Sequence, residues 1–343
     1  MSAARPGPRN LITDVPGLQV GQAQDETVRT GVTVILPDER AVCAVDVRGG
    51  GPGTRETDAL NPENLVDAVD AVVLSGGSMY GLGAGDGVAA WLGAQGRGYP
   101  VSSQPNLPRA PIVPAAILFD LGNGGDKAWG EDPPYRRLGI EAVKAAGPDF
   151  ALGVAGAGYG ARAGQLKGGT GSASIVTWDG YTVGAVAAVN SFGSVVGGDG
   201  LTFWASPFEI DGEFGGRSPA GLTIAADHWG LAKLNPGARE NTTIACVATD
   251  VALSKAQARR VAIMAQAGLA MSMRPVHTPF DGDIVFALST GRRPIGDAPD
   301  RMVARIGALA ADCLARAVAR GVYEAVSWPG LDVPSYRDLS KVQ

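Results

Sequence analysis

In Asn241-Thr242-Thr243-Ile244-Ala245-Cys246-Val247-Ala248-Thr249-Asp250, a hydroxyl residue stands where a polar segment, Asn235 to Glu240, becomes a mostly apolar run of strand length. If the peptide bond between Asn241 and Thr242 opened, Thr242 would carry both a hydroxyl and a terminal amine, whose ordinary pKa of about 8 suits a general base. One residue would then supply nucleophile and base. The same letters also read as plain structure, because asparagine favours turns and threonine favours strands. The match to the glycosylation pattern carries no weight without a secretory signal.

Other side chains could serve such a nucleophile. Asp281 and Asp283, two apart in His277-Thr278-Pro279-Phe280-Asp281-Gly282-Asp283, would face one side of a strand entrance, although a turn with an Asx cap uses the same residues. Lys167, inside Gln165-Leu166-Lys167-Gly168-Gly169-Thr170-Gly171, either points into a cleft or is an ordinary solvated lysine. Asn190 closes an apolar run and is by default a turn residue. Phe119 and Asp120 end the run Pro111 to Asp120, where the carboxylate either lines a pocket or caps the next loop. Arg48-Gly49-Gly50-Gly51-Pro52-Gly53-Thr54 could approach a ligand through bare backbone or be only a turn.

With His228 and His277 as the only imidazoles, a Ser-His-Asp triad has two possible bases and a histidine-rich metal site is not expected. Gly156-Ala157-Gly158-Tyr159-Gly160-Ala161 matches a dinucleotide fingerprint in letters. The adjoining segment, Arg162 to Gly171, is too rich in glycine to be the helix that holds a pyrophosphate, so no cofactor is expected.

The elements that must position these residues alternate in period. From Leu18 to Val47 the short apolar runs Val32–Leu36 and Ala41–Val47, parted by Asp38-Glu39-Arg40, read as an antiparallel meander. Asn61-Pro62 caps an expected short helix to about Asp70, and Ala71–Leu74 is a buried strand. Ser75-Gly76-Gly77-Ser78 leads into a helix to about Leu92 whose glycines imply close packing, since each costs roughly 1 kcal/mol against alanine. Tyr135–Ala146 is an amphipathic helix closed by Gly147, and Ser172–Trp178 with Thr182–Val189 forms a hairpin around Asp179-Gly180. After the Thr242 strand, Ser254-Lys255-Ala256-Gln257 is a capping box opening a helix to about Met271. Ile284–Ser289 is a strand and Asp300–Val322 a final amphipathic helix.

Composition restricts the partners. The 343 residues, 45% hydrophobic and with mean hydropathy +0.07, can bury a sizeable core. A net charge of -5 and pI near 5.2, without a Lys/Arg block, argue against nucleic acid or an anionic membrane and favour small molecules or neutral peptides. No run approaches the roughly 20 apolar residues of a membrane span, and Met1–Asn10 lacks a signal-peptide core, so a cytoplasmic location is expected. Cys43, Cys246 and Cys313 fit reduced thiols.

Taken together, Asn241-Thr242-Thr243-Ile244, Asp281-Gly282-Asp283 after His277-Thr278, Asn190 at a strand end, and Lys167 after Gly156-Ala157-Gly158 resemble the P1 (DmpA-type) peptidase family. That family includes β-peptidyl aminopeptidases, L-aminopeptidase/D-amidase-esterases and the nylon-oligomer (6-aminohexanoate) endohydrolase. The resemblance spans nearly the whole chain, from Ile12-Thr13-Asp14-Val15-Pro16-Gly17-Leu18 to the final helix. It implies one catalytic domain with an α/β/β/α sandwich fold, self-cleaved into 1–241 and 242–343, and usually a homotetramer. It further implies Thr242 as nucleophile, Asn190 as donor to the oxyanion, Lys167 as its electrostatic support, and Asp281 with Asp283 orienting the nucleophile. Phe119 and Asp120 match a substrate-binding segment, where the aminopeptidase branch carries an acidic residue and the nylon-oligomer hydrolase a tyrosine at the position of Phe119. Threonine rather than serine at position 242 is closer to the nylon-oligomer branch. A reading of another class is an unprocessed small-ligand-binding or assembly protein on the same fold.

Overall fold

The computed structural model describes residues 4–102, 104, 106–224, 226–233, 241–328 and 333–342. Residues 235–240, the polar segment expected ahead of the Thr242 strand, lie outside these. Strands β1 (Leu18–Asp25), β2 (Thr30–Pro37), β4 (Thr54–Arg55), β5 (Val72–Ser75) and β6 (Ala115–Ile117) form one sheet in the order β1-β2-β5-β6-β4. Strands β3 (Val42–Val47), β9 (Thr170–Val176), β10 (Thr182–Asn190), β11 (Thr242–Val251) and β12 (Ile284–Arg293) form the other, in the order β3-β12-β11-β10-β9. A small ribbon pairs β7 (Arg162–Ala163) with β8 (Leu166–Lys167). The helices are α1 (Gly83–Ala94), α2 (Tyr135–Lys144), α3 (Lys255–Ser272), α4 (Pro299–Tyr323) and α5 (Tyr336–Val342).

The period of two along each strand sorts the side chains into layers. On β11, Ile244, Cys246 and Ala248 join Val186 and Ala188 of β10, Phe286 of β12, and Ile35, Val72 and Ala116 of the first sheet in a core between the sheets. The alternate residues Ala245 and Val247 pack instead with Val261 and Leu269 of α3 and Leu314 and Val318 of α4. On the far side of the first sheet, Val32, Val34 and Val73 meet Val88 of α1 and Leu138 of α2. The result is a four-layer α/β/β/α sandwich. Thr242 and Asn190 have the parity of Ile244 and Ala188, so both belong to the face between the sheets.

The glycines of α1 serve close packing: a methyl on Gly87 would lie 2.1 Å from the Arg136 carbonyl, and one on Gly139 of α2 would lie 2.3 Å from that of Ala84. The capping box at Ser254 and Gln257 opens α3, which crosses between the parallel strands β11 and β12.

Two expectations are corrected. β1 and β2 pair antiparallel, but β3 does not continue the meander: it crosses to the second sheet and pairs with β12, Val47 opposite Ile284. Cys43, Ala44 and Val45 are all buried, and only a strand covered on both faces accommodates that. The helix expected over 61–70 is absent. A 3-10 turn at Asp58–Leu60 gives way to a further turn and irregular chain up to Val69, which pairs with Ala41, and the Lys255 ammonium takes the carbonyls of Ala59, Asn64 and Val66. A side chain from α3 thus satisfies backbone groups that a helix would have satisfied internally.

Candidate active site

Thr242 is the first residue of the central strand β11 and the direct cross-strand partner of Asn190, the last residue of β10. Direct partners in an antiparallel pair project to the same face about 5 Å apart, so a hydroxyl and a carboxamide share one end of the inter-sheet layer. The Thr242 hydroxyl is buried and donates to the carbonyl oxygen of Asn241, the acceptor of the bond that precedes it. The Asn241 side chain is wholly buried too, and neither its Oδ1 nor its Nδ2 has a partner among the described residues. The Asn190 Oδ1 accepts the Arg162 N–H (2.9 Å) and its Nδ2 donates to the Phe119 carbonyl (3.0 Å).

The acidic segment reaches the same place from β12. Asp283 Oδ1 accepts the Thr243 N–H (2.8 Å), while its Oδ2 takes both the backbone N–H (3.2 Å) and the ring Nδ1 (2.8 Å) of His277. Asp281 Oδ1 accepts the Phe192 N–H (3.0 Å), and its Oδ2 accepts the Thr278 N–H (3.1 Å) and hydroxyl (2.6 Å). Burial, and then the neighbouring Asp283 carboxylate, push the Asp281 carboxyl above its usual range. The two carboxylates therefore hold backbone around the nucleophile, Asp283 one residue after it and Asp281 two residues after Asn190.

Glycine makes this approach possible. A methyl on Gly282 would lie 2.7 Å from Thr242 Oγ1 and 2.7 Å from the Gly51 carbonyl. The glycine loop after β3 lies backbone to backbone along this segment, Arg48 N–H on Asp283 O (2.9 Å) and Gly51 N–H on Asp281 O (2.8 Å). Its bare backbone supports the acidic segment.

Lys167 is neither in a loop nor solvated. It lies in β8, has no exposed surface, and its ammonium donates to the carbonyls of Gly168 (2.7 Å) and Ala161 (2.9 Å) while sitting 4.7 Å from the centre of the Trp328 ring. Burial lowers it to about 7, with Asp120 opposing and Arg162 reinforcing the shift. Asp120 is buried, accepting from the Thr30 hydroxyl (2.7 Å) and the Gly77 N–H (2.8 Å), and burial raises it to about 6 against those hydrogen bonds and the fields of Lys127 and Lys167. Its carboxylate caps the Gly76-Gly77 loop, and its neighbour Phe119 enters the site through its carbonyl.

Thr242, Asn190, Asp281 and Asp283 are thus brought together by three adjacent strands, and Phe119 joins them through Asn190. Lys167 is linked to Asn190 through the peptide between Ala161 and Arg162, its ammonium on the first carbonyl and the Asn190 Oδ1 on the second N–H. The sequence offers His277 only as a possible base and gives Arg162 no role. No spacing signal announces that the His277 ring turns back onto Asp283, a contact that depends on its left-handed backbone (φ 54°). The arrangement offers a hydroxyl against a carbonyl, a carboxamide on the same face, and buried carboxylates bracing both. Among the described residues no group of His, Cys, Asp and Glu could hold a metal ion.

Comparison with known proteins agrees with this architecture. An uncharacterized aminopeptidase of Mycobacterium tuberculosis is 47% identical, the match covering 96% of this chain and 98% of the relative. A 6-aminohexanoate-oligomer endohydrolase of Agromyces sp. is 29% identical over 83% of this chain and 76% of its own length. Among solved structures, a Pyrococcus horikoshii protein superposes with a TM-score of 0.73 at 25% identity, covering 100% of this chain and 96% of that one. The L-aminopeptidase D-Ala-esterase/amidase of Ochrobactrum anthropi, a variant of the Ntn hydrolase fold, gives 0.70 at 22% identity, covering 100% and 95%, and shares the fold. The model of peptidase family S58, the DmpA family, matches residues 10–334, and the chain belongs to that family of amide and peptide hydrolases.

Proposed function

We propose that the chain is an autoprocessing N-terminal-threonine amide hydrolase, cut between Asn241 and Thr242 and acting on small peptides or amides of the aminopeptidase, amidase or 6-aminohexanoate-oligomer type. The observation that carries this is the Thr242 hydroxyl, buried at the head of the central strand and hydrogen-bonded to the Asn241 carbonyl. In the first step Thr242 Oγ1 bonds to the Asn241 carbonyl carbon, the C–N bond breaks, and the hydroxyl proton passes to the departing nitrogen, leaving an ester and a free amine. Water then hydrolyses the ester, releasing the Asn241 carboxylate and restoring the hydroxyl. In turnover the amine of Thr242 accepts the hydroxyl proton as Oγ1 attacks a substrate amide and returns it to the leaving amine, and water then hydrolyses the acyl ester on Oγ1, releasing the acid and restoring the hydroxyl.

Asn190 is suited to stabilise the oxyanion because it shares a face with Thr242, and Lys167, where its amine is protonated, adds a positive field behind it through the peptide between residues 161 and 162. Asp283 and Asp281 hold the backbone on either side of the attacking residue. Denaturing electrophoresis with mass spectrometry tests the proposal: purified wild type should give fragments 1–241 and 242–343, and Thr242→Ala should stay one chain. A pure Thr242→Ala protein cut at the same bond, or an intact wild type, refutes self-cleavage, and an intact wild type without amidase activity leaves a binding or assembly protein on this fold. The same reading carries a homotetramer in the cytoplasm, which light scattering and cell fractionation address.

A further inference from the structure

Beside the candidate nucleophile lies an aromatic group that the chemistry above does not use. Phe192, two residues after Asn190, is buried at 3% exposure, with ring centroids 5.8 Å from Trp229 and 5.7 Å from Phe280. Those two flanking rings are large, apolar and open, Trp229 at 50% and Phe280 at 37% exposure. Two exposed rings grouped on one buried ring offer a place where something apolar binds. Phe280 adjoins Asp281 and stands two residues from Gly282, where a methyl would come within 2.7 Å of Thr242 Oγ1. The Phe192 N–H is held by Asp281 itself (3.0 Å), so the ledge is tied rigidly to the acidic segment.

The chain shows which side of a substrate this ledge faces. Trp229 and Lys233 precede the Asn241–Thr242 bond and belong to its acyl side. The Lys233 N–H donates to the Phe192 carbonyl (3.0 Å), so the acyl-side segment is paired beside Phe192 as far as residue 233, the last described before Asn241.

We infer that Phe192, Trp229 and Phe280 form the acyl-group subsite of this hydrolase and select amides whose acyl part carries a large apolar group, a ring or a long alkyl chain, over those with small ones. This rests on Thr242 being the nucleophile. The test compares p-nitroanilides of phenylalanine and alanine, and of their β-homologues, on processed enzyme. Wild type should favour the phenylalanine compounds at least tenfold in kcat/KM, and Trp229→Ala/Phe280→Ala should bring that ratio down about tenfold, since burying or losing a ring-sized apolar group discriminates on that scale. A ratio that survives the double substitution overturns the inference. So does an equal loss on both substrates, or a changed oligomeric mass with an unchanged ratio, which makes the patch an interface between subunits. If the cleaved enzyme turns over none of these anilides, calorimetry with 3-phenylpropanamide and propanamide makes the same comparison, and equal affinities overturn the inference. An uncleaved wild type sinks the Thr242 reading and this one together, whereas a cleaved enzyme without preference sinks only this one.

Discussion

Replacing Lys167 by methionine should remove a pH-dependent gain in folding stability. Burial lowers the Lys167 ammonium from the ordinary lysine value of 10.5 to about 7. Between about 7 and 10.5 the unfolded chain therefore binds a proton that the folded chain does not, so stability rises with pH across that window and levels off above it. At about 1.36 kcal/mol for each tenfold change in proton affinity, the full rise is roughly 5 kcal/mol. Asp120, raised from 3.8 to about 6 and held down in part by Lys167, changes charge below this window in the protein that keeps the lysine. Methionine also leaves the Ala161 and Gly168 carbonyls without their donor, at roughly 1–3 kcal/mol each, but that loss does not vary with pH. Urea unfolding of Thr242→Ala and of Thr242→Ala/Lys167→Met, compared at steps from pH 7 to 10.5, isolates the effect because titrations not coupled to Lys167 cancel in the difference and that of Asp120 is confined to the low-pH end. The single-substitution protein should gain on the double one by several kcal/mol toward high pH. Curves that stay parallel within about 1 kcal/mol refute the reasoning and mean that the buried ammonium stays charged in the folded state throughout.

Asn190→Ala in processed enzyme should lower kcat by roughly a hundredfold to a thousandfold with little change in KM, because a donor aimed at charge that develops in the transition state affects rate selectively; unchanged kcat with a raised KM would instead place Asn190 in substrate binding. Activity should rise with pH along a limb set by the terminal amine of Thr242, which must be neutral to accept the hydroxyl proton, and His277→Gln should leave that limb in place. If the limb vanishes while the protein remains folded and cleaved, a Thr-His mechanism replaces the single-residue one. His277 should nevertheless matter for position: His277→Ala should slow turnover about tenfold by loosening Asp283, and His277→Asn should restore it, since asparagine tolerates the left-handed backbone and presents a donor near the Nδ1 position. Failure of asparagine to rescue, with both variants folded, would remove that positioning role.

Much of the fold was legible because it follows local periods. The hairpin around Asp179-Gly180, the capped helix from Ser254 and the long helix α4 each express one run of apolar spacing and one terminal signal. β3 was misassigned because strand pairing is not local: nothing in Val42–Val47 says that its neighbour is β12, more than two hundred residues on. The absent helix after Asn61 has a similar cause, since its carbonyls are taken by Lys255 from a distant element. The candidate site was legible in residue types and order. Its wiring was not: that Lys167 is fully buried and that His277 turns onto Asp283 are facts of burial and backbone hand, and neither leaves a mark in spacing.

The position of the proposed cut within the second sheet explains why such a chain could be divided without falling apart. A break before Thr242 would assign β11 and β12 to the smaller fragment and β3, β9 and β10 to the larger one. Yet β11 pairs with β10 from Val183 opposite Thr249 to Asn190 opposite Thr242, and β12 pairs with β3 on its other edge, so the smaller fragment is hydrogen-bonded to the larger on both sides. Its apolar residues also divide between two cores, Ile244, Cys246 and Phe286 between the sheets and Ala245, Val247 and Val285 against the helices, each shared with the larger fragment. Opening one peptide bond removes none of that burial. What it changes is local: it frees an amine at the head of β11, beside a hydroxyl already placed and carboxylates already buried. The central strand can therefore deliver a reactive terminus to a site whose surroundings are held by the intact sheet.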